Sequence, residues 1–353
     1  KEVGIYSPLG QRYTPVAAET LMPYREATDG QLLEEGITEA GAMASVAAAG
    51  TSYATHGEHM IPFYVFYSMF GFQRTMDQIW AFGDARGRGF LMGATAGRTT
   101  LNGEGLQHGD GHSHLLATAI PNIRAYDPAF AYETAVIVKD GLRRMLEAGE
   151  DVFYYITLYN ESYPMPPQPD EVEDGIVRGL YLFRKGIEGR RRVTLLGSGP
   201  LLMQALRAQE MLQDRYEVAA DVWSVTSYQL LRNDALECER WDRLHPDAQP
   251  RLPYVAEQLA GRGPIVAVSD HMKAIPDQIA RWVGQPFIPL GTDGFGRSDT
   301  REALRRHFEI DAEHVVVASL HSLALCEQLS PGDVAAAIRE HGIEPDRIDP
   351  RYA

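Results

Sequence analysis

Apolar positions fall in short blocks separated by polar and helical stretches. The run Met60–Met69, MIPFYVFYSM, is apolar and aromatic throughout and predicts a buried strand. Arg74–Ala85 spaces its apolar residues at helical intervals and predicts an amphipathic helix. Further strands are predicted at Gly89–Ala94, Ile123–Tyr126 and Asp151–Tyr159. A short helix is expected from His114 to Ala117, and a long one over Pro128–Leu146, ending near Gly149. Upstream, Gly36–Thr55 is rich in Ala and Gly and suits a helix packed closely against a neighbour. Residues 1–35 hold few periodic apolar positions and read as an irregular lead-in.

The segment Pro164–Asp174 carries four prolines and four acids and reads as a linker. A second alternating pattern follows it. Strands are predicted at Val193–Leu196, Ala219–Ser224, Ile265–Val268 and Phe287–Leu290. Helices are predicted at Leu201–Gln213, Ile275–Trp282, Thr300–Phe308 and Ala312–Gln328. Strands alternating with helices predict two consecutive, mostly parallel α/β domains. The expected division is a lead-in over 1–35, one domain over 36–163, a linker over 164–190 and a second domain over 191–353.

Composition narrows the function classes. At 353 residues, two domains are the natural expectation. The net charge of −15 argues against nucleic acid as a partner. No apolar run reaches the roughly 18 residues of a membrane span, so no membrane partner is expected. Only two cysteines occur, Cys238 and Cys326, which suits a reducing cytoplasm. The start, KEVGIYSPLGQRY, has no signal-peptide apolar region and no initiator Met, so a fragment or processed product is expected. The basic cluster Phe183–Arg192 reads as a solvated surface loop, and Gly197–Pro200 (GSGP) as a tight strand-to-helix turn.

Candidate chemistry concentrates in Leu101–His114, LNGEGLQHGDGHSH, with three histidines, two acids and four glycines. Glycines permit tight backbone paths, and histidines exchange protons near neutral pH or bind metal. His108, His112 and His114 with Asp110 form a possible metal set. Gly109 and Gly111 break the helix such a set would use, and no later His/Cys cluster completes it, so no metal ligand is assigned. Glu39 falls in the first turn of the Ala-rich helix, where an acid also favours the helix dipole.

These segments resemble a known family. RTTLNGEGLQHGDGHSHLLA (98–117) is similar to a motif of the homodimeric type of pyruvate dehydrogenase decarboxylating component, of the transketolase superfamily. GITEAGAM (36–43), MIPFYVFYSMFGFQR (60–74), DPAFAYETAVIVKDGLRRM (127–145), ADVWSVTSY (220–228) and LGTDGFGRSDTREALRRHFE (290–309) resemble it too, in the family's order. The resemblance covers nearly the whole chain. It implies a pyrimidine-binding domain followed by a transketolase C-terminal-like domain.

The resemblance also implies thiamine diphosphate as cofactor and a 2-oxo acid as substrate. The acyl group would pass to a lipoyl-bearing acyltransferase component, and the enzyme would be a homodimer. Glu39 would contact a ring nitrogen of the aminopyrimidine, where a carboxyl in an apolar site can share its proton. Phe70 would stack on that ring, with Tyr67 as pocket wall and both at a strand end before a glycine turn; Phe63 and Phe66 would be core. Arg74 and Glu104 are further cofactor-binding candidates. His108 would meet the substrate carboxylate or the reaction intermediate, while His112 and His114 hold the loop in shape. His271 and His307 read as surface or structural, and residues 290–309 as dimer or intercomponent structure.

One departure limits these expectations. Gly109-Asp110-Gly111 spells the opening of the superfamily's diphosphate and Mg2+ motif, which needs an asparagine some 25–30 residues later. Residues 136–141 read VIVKDG, sit on a predicted helix and supply none. Thr292-Asp293-Gly294 fails likewise. The Mg2+ ligands are therefore expected in an N-terminal domain preceding residue 1, and the chain alone is expected to be inactive. A 2-oxobutyrate-preferring relative and a non-catalytic dimerisation fragment remain the alternatives.

Overall fold

The structure is a computed structural model that describes residues 3–16 and 25–353. The expected lead-in therefore lies partly outside the described residues, at 1–2 and 17–24. Its described part holds a two-residue parallel pair, β1 (Ile5–Tyr6) and β2 (Glu26–Ala27).

The first main sheet has four parallel strands, β3 (Phe63–Tyr67), β4 (Phe90–Ala94), β5 (Ile123–Tyr126) and β6 (Phe153–Thr157), in the order β3-β4-β6-β5. Side chains alternate across it, as a two-residue period requires. Leu91, Phe153 and Tyr155 enter one core with Phe72 and Ile79 of the helix Ser68–Asp84. Phe90, Met92, Tyr154 and Ile156 enter the other with Val136 and Ile137 of the helix Ala131–Leu142. Both faces of the two central strands, β4 and β6, are covered, which explains why those two read as near-continuous apolar runs.

The second sheet has the order β11-β10-β8-β9-β7, with β7 (Leu180–Arg184), β8 (Arg191–Gly197), β9 (Val218–Val225), β10 (Ile265–Val268) and β11 (Phe287–Leu290). All neighbours pair in parallel except the antiparallel β7. The helices Leu202–Tyr216 and Ala312–Leu325 share one core with Val193, Leu195 and Val266. Tyr228 and Leu231, from the helix Tyr228–Leu244, share the other with Leu196, Trp223 and Ile265. The α/β class and the mostly parallel sheets are as the alternating pattern implied.

Five local expectations are corrected. β3 is an edge strand, and Phe63, Val65 and Tyr67 are about half exposed, at 51%, 61% and 48%. Only Phe66 enters the core, whereas Phe63 lies against Phe90 at the sheet edge, 4.5 Å between ring centroids. Its hydrophobicity therefore does not report burial. No glycine turn follows β3 either, because the helix begins at Ser68 and takes in Gly71, whose hydrogen leaves room for the Phe66 ring.

The stretch 164–190 also holds more than a linker. It contains the helix Glu173–Arg178 and β7, which completes the second sheet. In the basic cluster, residues 185–190 form an exposed loop except at half-buried Gly186, but Arg184 lies in β7 and Arg191 and Arg192 open β8. Arg192 meets buried Asp221 at 3.0 Å, so strand pairing and a buried acid claim part of that cluster.

Candidate active site

The first group of side chains gathers where β3 ends. Glu39 opens the helix Glu39–Gly50, and Thr38 caps it, its hydroxyl accepting from the Gly41 amide at 3.3 Å. The Glu39 side chain is thereby left for another partner. Arg74 donates to it at 2.5 Å. The same guanidinium lies over the Phe70 ring, 4.2 Å from its centroid. Tyr64 donates to the Glu39 carbonyl at 3.3 Å, and burial beside Glu39 pushes its phenol up to about 12.

Phe70 continues the chain of contacts. It meets His108 edge to face at 5.2 Å between centroids, and Tyr67 lies 5.5 Å from the same imidazole. His108 ends a 3₁₀ turn, Leu106–His108. Its Nδ1 is buried without a hydrogen-bond partner, with the Glu104 carboxylate 3.9 Å away. Glu39, Tyr67, Phe70, Arg74, Glu104 and His108 thus form one continuous group drawn from three separate segments. The apolar surroundings expected for the Glu39 carboxyl are not seen, since a half-exposed guanidinium is its neighbour.

A second group lies at the seam between the sheets, where the carboxyl ends of both sets of strands meet. Open α/β sheets place their ligands at such ends. Asp127 follows β5, Tyr159 follows β6, and Asp270 and His271 follow β10. The Tyr159 hydroxyl donates to Asp127, and the His271 Nε2–H donates to the Tyr159 oxygen at 3.1 Å. Burial opposes the charged form of His271, but Asp127, Asp110 and Asp270 outweigh it and raise its pKa. Burial likewise opposes ionisation of Asp127, yet His271, His114 and Tyr159 hold it well below the carboxylate range. His114 goes the other way: burial and the nearby His271 push it down to about 4.

The loop histidines therefore part company. His108 joins the first group and His114 the second, bonding Thr157 at 3.2 Å. Among the described residues, His114 with Asp127 and His271 forms the grouping with ligand-like spacing, within 4.8 Å, and hydrogen bonds from Thr157 and Tyr159 already occupy the Asp127 Oδ1. Asp110 of the GDG tripeptide is fully buried and accepts from the His112 and Ser113 amides and the Ser113 hydroxyl. Residues 136–141 lie inside the helix Ala131–Leu142, as the sequence suggested.

His271 is not at the surface, as one of its readings had it: it is fully buried. His307 is half-buried. The sequence did not single out Asp127, Tyr159 or Asp270 for the site. The rule that pointed to Tyr67, a strand's carboxyl end, points equally to Ser269-Asp270-His271 directly after β10. In this chain the 290–309 segment packs on the histidine loop, Gly296 lying against Gly109 and the Leu106 carbonyl.

Known proteins resemble this chain over nearly its whole length. Residues 1–166 match the family model described as the pyruvate dehydrogenase E1 component middle domain, and 179–311 the transketolase-like C-terminal domain. The chain is 54% identical over 353 residues to a pyruvate dehydrogenase E1 component of Pseudomonas aeruginosa, covering 99% of the chain and 40% of that protein. It is 52% identical to the one from Escherichia coli, over 100% of the chain and 40% of the relative. The counterpart in Mycobacterium tuberculosis is 53% identical over 96% and 37%. The chain thus spans about 40% of the length of these relatives. A transketolase from Pichia stipitis shares the fold, with a TM-score of 0.67 at 15% identity, over 93% of this chain and 41% of that one. A split-gene transketolase described as an inactive beta4 tetramer gives 0.60 at 18% identity, over 92% and 93%.

Proposed function

The chain belongs to the family of pyruvate dehydrogenase E1 components, and from that membership we propose that it is the part receiving the pyrimidine end of thiamine diphosphate and the 2-oxo acid. The observation that carries this reading is the unbroken run of contacts Glu39–Arg74–Phe70–His108. It brings three of the family-like segments to one place.

The residues present fit the cofactor. His108 offers a buried nitrogen without a partner beside two aromatic rings, and a carboxylate stands across Arg74. When bound, thiamine diphosphate supplies the electron sink that decarboxylation of a 2-oxo acid requires. Phe70 and Tyr67 give flat aromatic surface for a heterocycle. Glu39 holds or releases a proton at its carboxylate, oriented by Arg74. His108 binds the substrate carboxylate and moves a proton at its imidazole. Glu104, whose carboxylate lies 3.9 Å from the His108 Nδ1, is a further cofactor-binding group. Mg2+ is assigned no ligand in this chain.

In the whole protein we place this site in the oxidative decarboxylation of pyruvate in glycolytic metabolism, with acetyl transfer to a lipoyl-bearing acyltransferase component. The enzyme would act as a homodimer in the cytoplasm. Among the described residues no helix is long and apolar enough to cross a membrane, and both cysteines are free.

Full-length protein assayed with pyruvate, Mg2+ and thiamine diphosphate tests the reading. Decarboxylation is expected, with a higher specificity constant for pyruvate than for 2-oxobutyrate. Absence of activity with either acid overturns it in favour of an assembly role. Equal constants remove the preference for pyruvate.

A further inference from the structure

The loop carrying His108 is closed at its base and open at its tip. Gly97 and Asp110 form an isolated antiparallel bridge that brings the two ends together. Residues 102–107 between them are exposed. Beyond Gly296 against the Leu106 carbonyl and the rings of Tyr67 and Phe70 against His108, such a tip has little packing, so the position of His108 also depends on what holds the base. That hold comes from the other sheet. The Asp270 carboxylate accepts from the Thr99 amide at 2.9 Å, the Thr99 hydroxyl at 2.7 Å, the Thr100 amide at 2.9 Å and the Thr100 hydroxyl at 2.6 Å. Each carboxylate oxygen takes one amide and one hydroxyl of the same residue.

The returning arm of the loop is held from the same place. The Met272 amide donates to the Gly111 carbonyl at 2.8 Å. Arg98 donates to the carbonyls of Gly109 and Thr292, bridging the loop to the segment after β11. Asp270 is fully buried, and burial pushes its pKa up against the donors of Thr100 and Thr99. A buried carboxylate costs free energy unless its donors are well placed, so four converging donors point to a demand for fixed geometry.

We propose that Asp270 is a positioning residue for the reaction at His108: the second domain holds the active loop of the first through Thr99 and Thr100. This rests on the reading of His108 as a reacting group. The second domain is then needed for the geometry of the first, beyond stacking against it. Displacing a reacting group by about 1 Å can cost roughly 10²-fold in rate, so a weakened clamp acts on turnover.

The test compares full-length wild type with Asp270→Asn, Thr100→Val and Thr100→Ser. Asp270→Asn keeps the size but turns one acceptor into a donor facing two donors. Its kcat with the 2-oxo acid should fall about 10²-fold, with KM and cofactor affinity within about two-fold of wild type. Thr100→Val should lose part of the rate, and Thr100→Ser, which keeps the hydroxyl, should retain it. Hydrogen exchange should rise in peptides covering 97–111 while β6 and β9 stay protected. A wild-type kcat in Asp270→Asn overturns the proposal. So does loss of protection spread evenly over both sheets, which would make Asp270 a general tie between domains. If Asp270→Asn does not fold, the Val and Ser variants decide by the same measures. If wild type shows no activity with any 2-oxo acid, the reading of His108 fails, and selective exchange of 97–111 still decides whether the clamp exists.

Discussion

The guanidinium of Arg74 lies 2.5 Å from the carboxylate of Glu39, joining residues 35 apart in sequence. It also covers the Phe70 ring. One cation thus ties a helix-start acid to the aromatic surface beside His108. Thr38 already caps the helix, so the Glu39 side chain is engaged elsewhere than in capping.

Glu39→Gln in the full-length enzyme should remove most activity and leave the fold intact. A glutamate that only favoured the helix dipole would cost about 0.3–1 kcal/mol of stability on removal. One that handles a proton in catalysis should cost roughly 10²–10⁴ in rate. Thermal melting and steady-state kinetics on one preparation separate the two. An active but slightly less stable variant would refute the assignment.

Arg74→Met should change stability modestly, because the guanidinium is half exposed although the Glu39 carboxylate is mostly buried. An exposed ion pair and a cation–π contact together contribute about 1 kcal/mol. If that contribution goes into holding the cofactor, thiamine diphosphate affinity should fall roughly five-fold. Isothermal titration with Mg2+ present measures it. Unchanged affinity would remove Arg74 from the cofactor site.

His108→Ala should spare the proton exchange of the cofactor's thiazolium ring while slowing a step that involves the substrate. The loss in kcat should be roughly 10²–10⁴. Exchange followed by NMR beside single-turnover kinetics distinguishes the steps. Slow exchange in the variant would move His108 into cofactor activation.

The seam should be most stable near pH 6.5, for opposite reasons on either side. Burial and the neighbouring His271 push the pKa of His114 down from 6.5 to about 4, against the pull of Asp127 and Asp110. It takes up a proton more readily once unfolded, so stability falls as pH drops from 6.5 towards 4, by roughly 3 kcal/mol. His271 has its pKa raised, so its contribution is full below 6.5 and fades as pH rises through the folded value. Melting of wild type and His114→Gln across this range should show a flatter acid limb in the variant. An unchanged acid limb would show that another group governs it.

Gly97→Ala should be costly. Gly97 has φ +89, and a Cβ there would stand 2.2 Å from an Asp270 carboxylate oxygen. Backbone strain of this kind costs about 1–3 kcal/mol. Urea unfolding should register that loss. A variant as stable as wild type would mean that the loop base can shift away from Asp270.

The sequence by itself determined the class of fold and most of the strands. Ile123–Tyr126, Ile265–Val268 and Phe287–Leu290 are strands over the residues read for them, and the central strand Ile265–Val268, buried at every position, is apolar throughout because both its faces are covered. It also named the six residues that meet at the end of β3, through their family-like segments. Other elements were not legible. The helix Tyr228–Leu244 is mostly polar and buries only a narrow stripe, Tyr228, Gln229, Leu231 and Ala235, so its pattern is weak. β3 is as apolar as any buried strand yet lies at an edge, since hydrophobicity does not say which side of a strand finds a partner.

Tertiary structure alone decided the seam. Asp270 lies 171 residues from Thr99, and Tyr159 lies 112 from His271. No local period links such positions; they meet because two sheets present the carboxyl ends of their strands to one another. The same packing sent His108 and His114, six residues apart on one loop, to different surroundings. Residue types limit what chemistry a loop can do, whereas solvent exclusion and neighbouring charge, which only packing supplies, set what each side chain does.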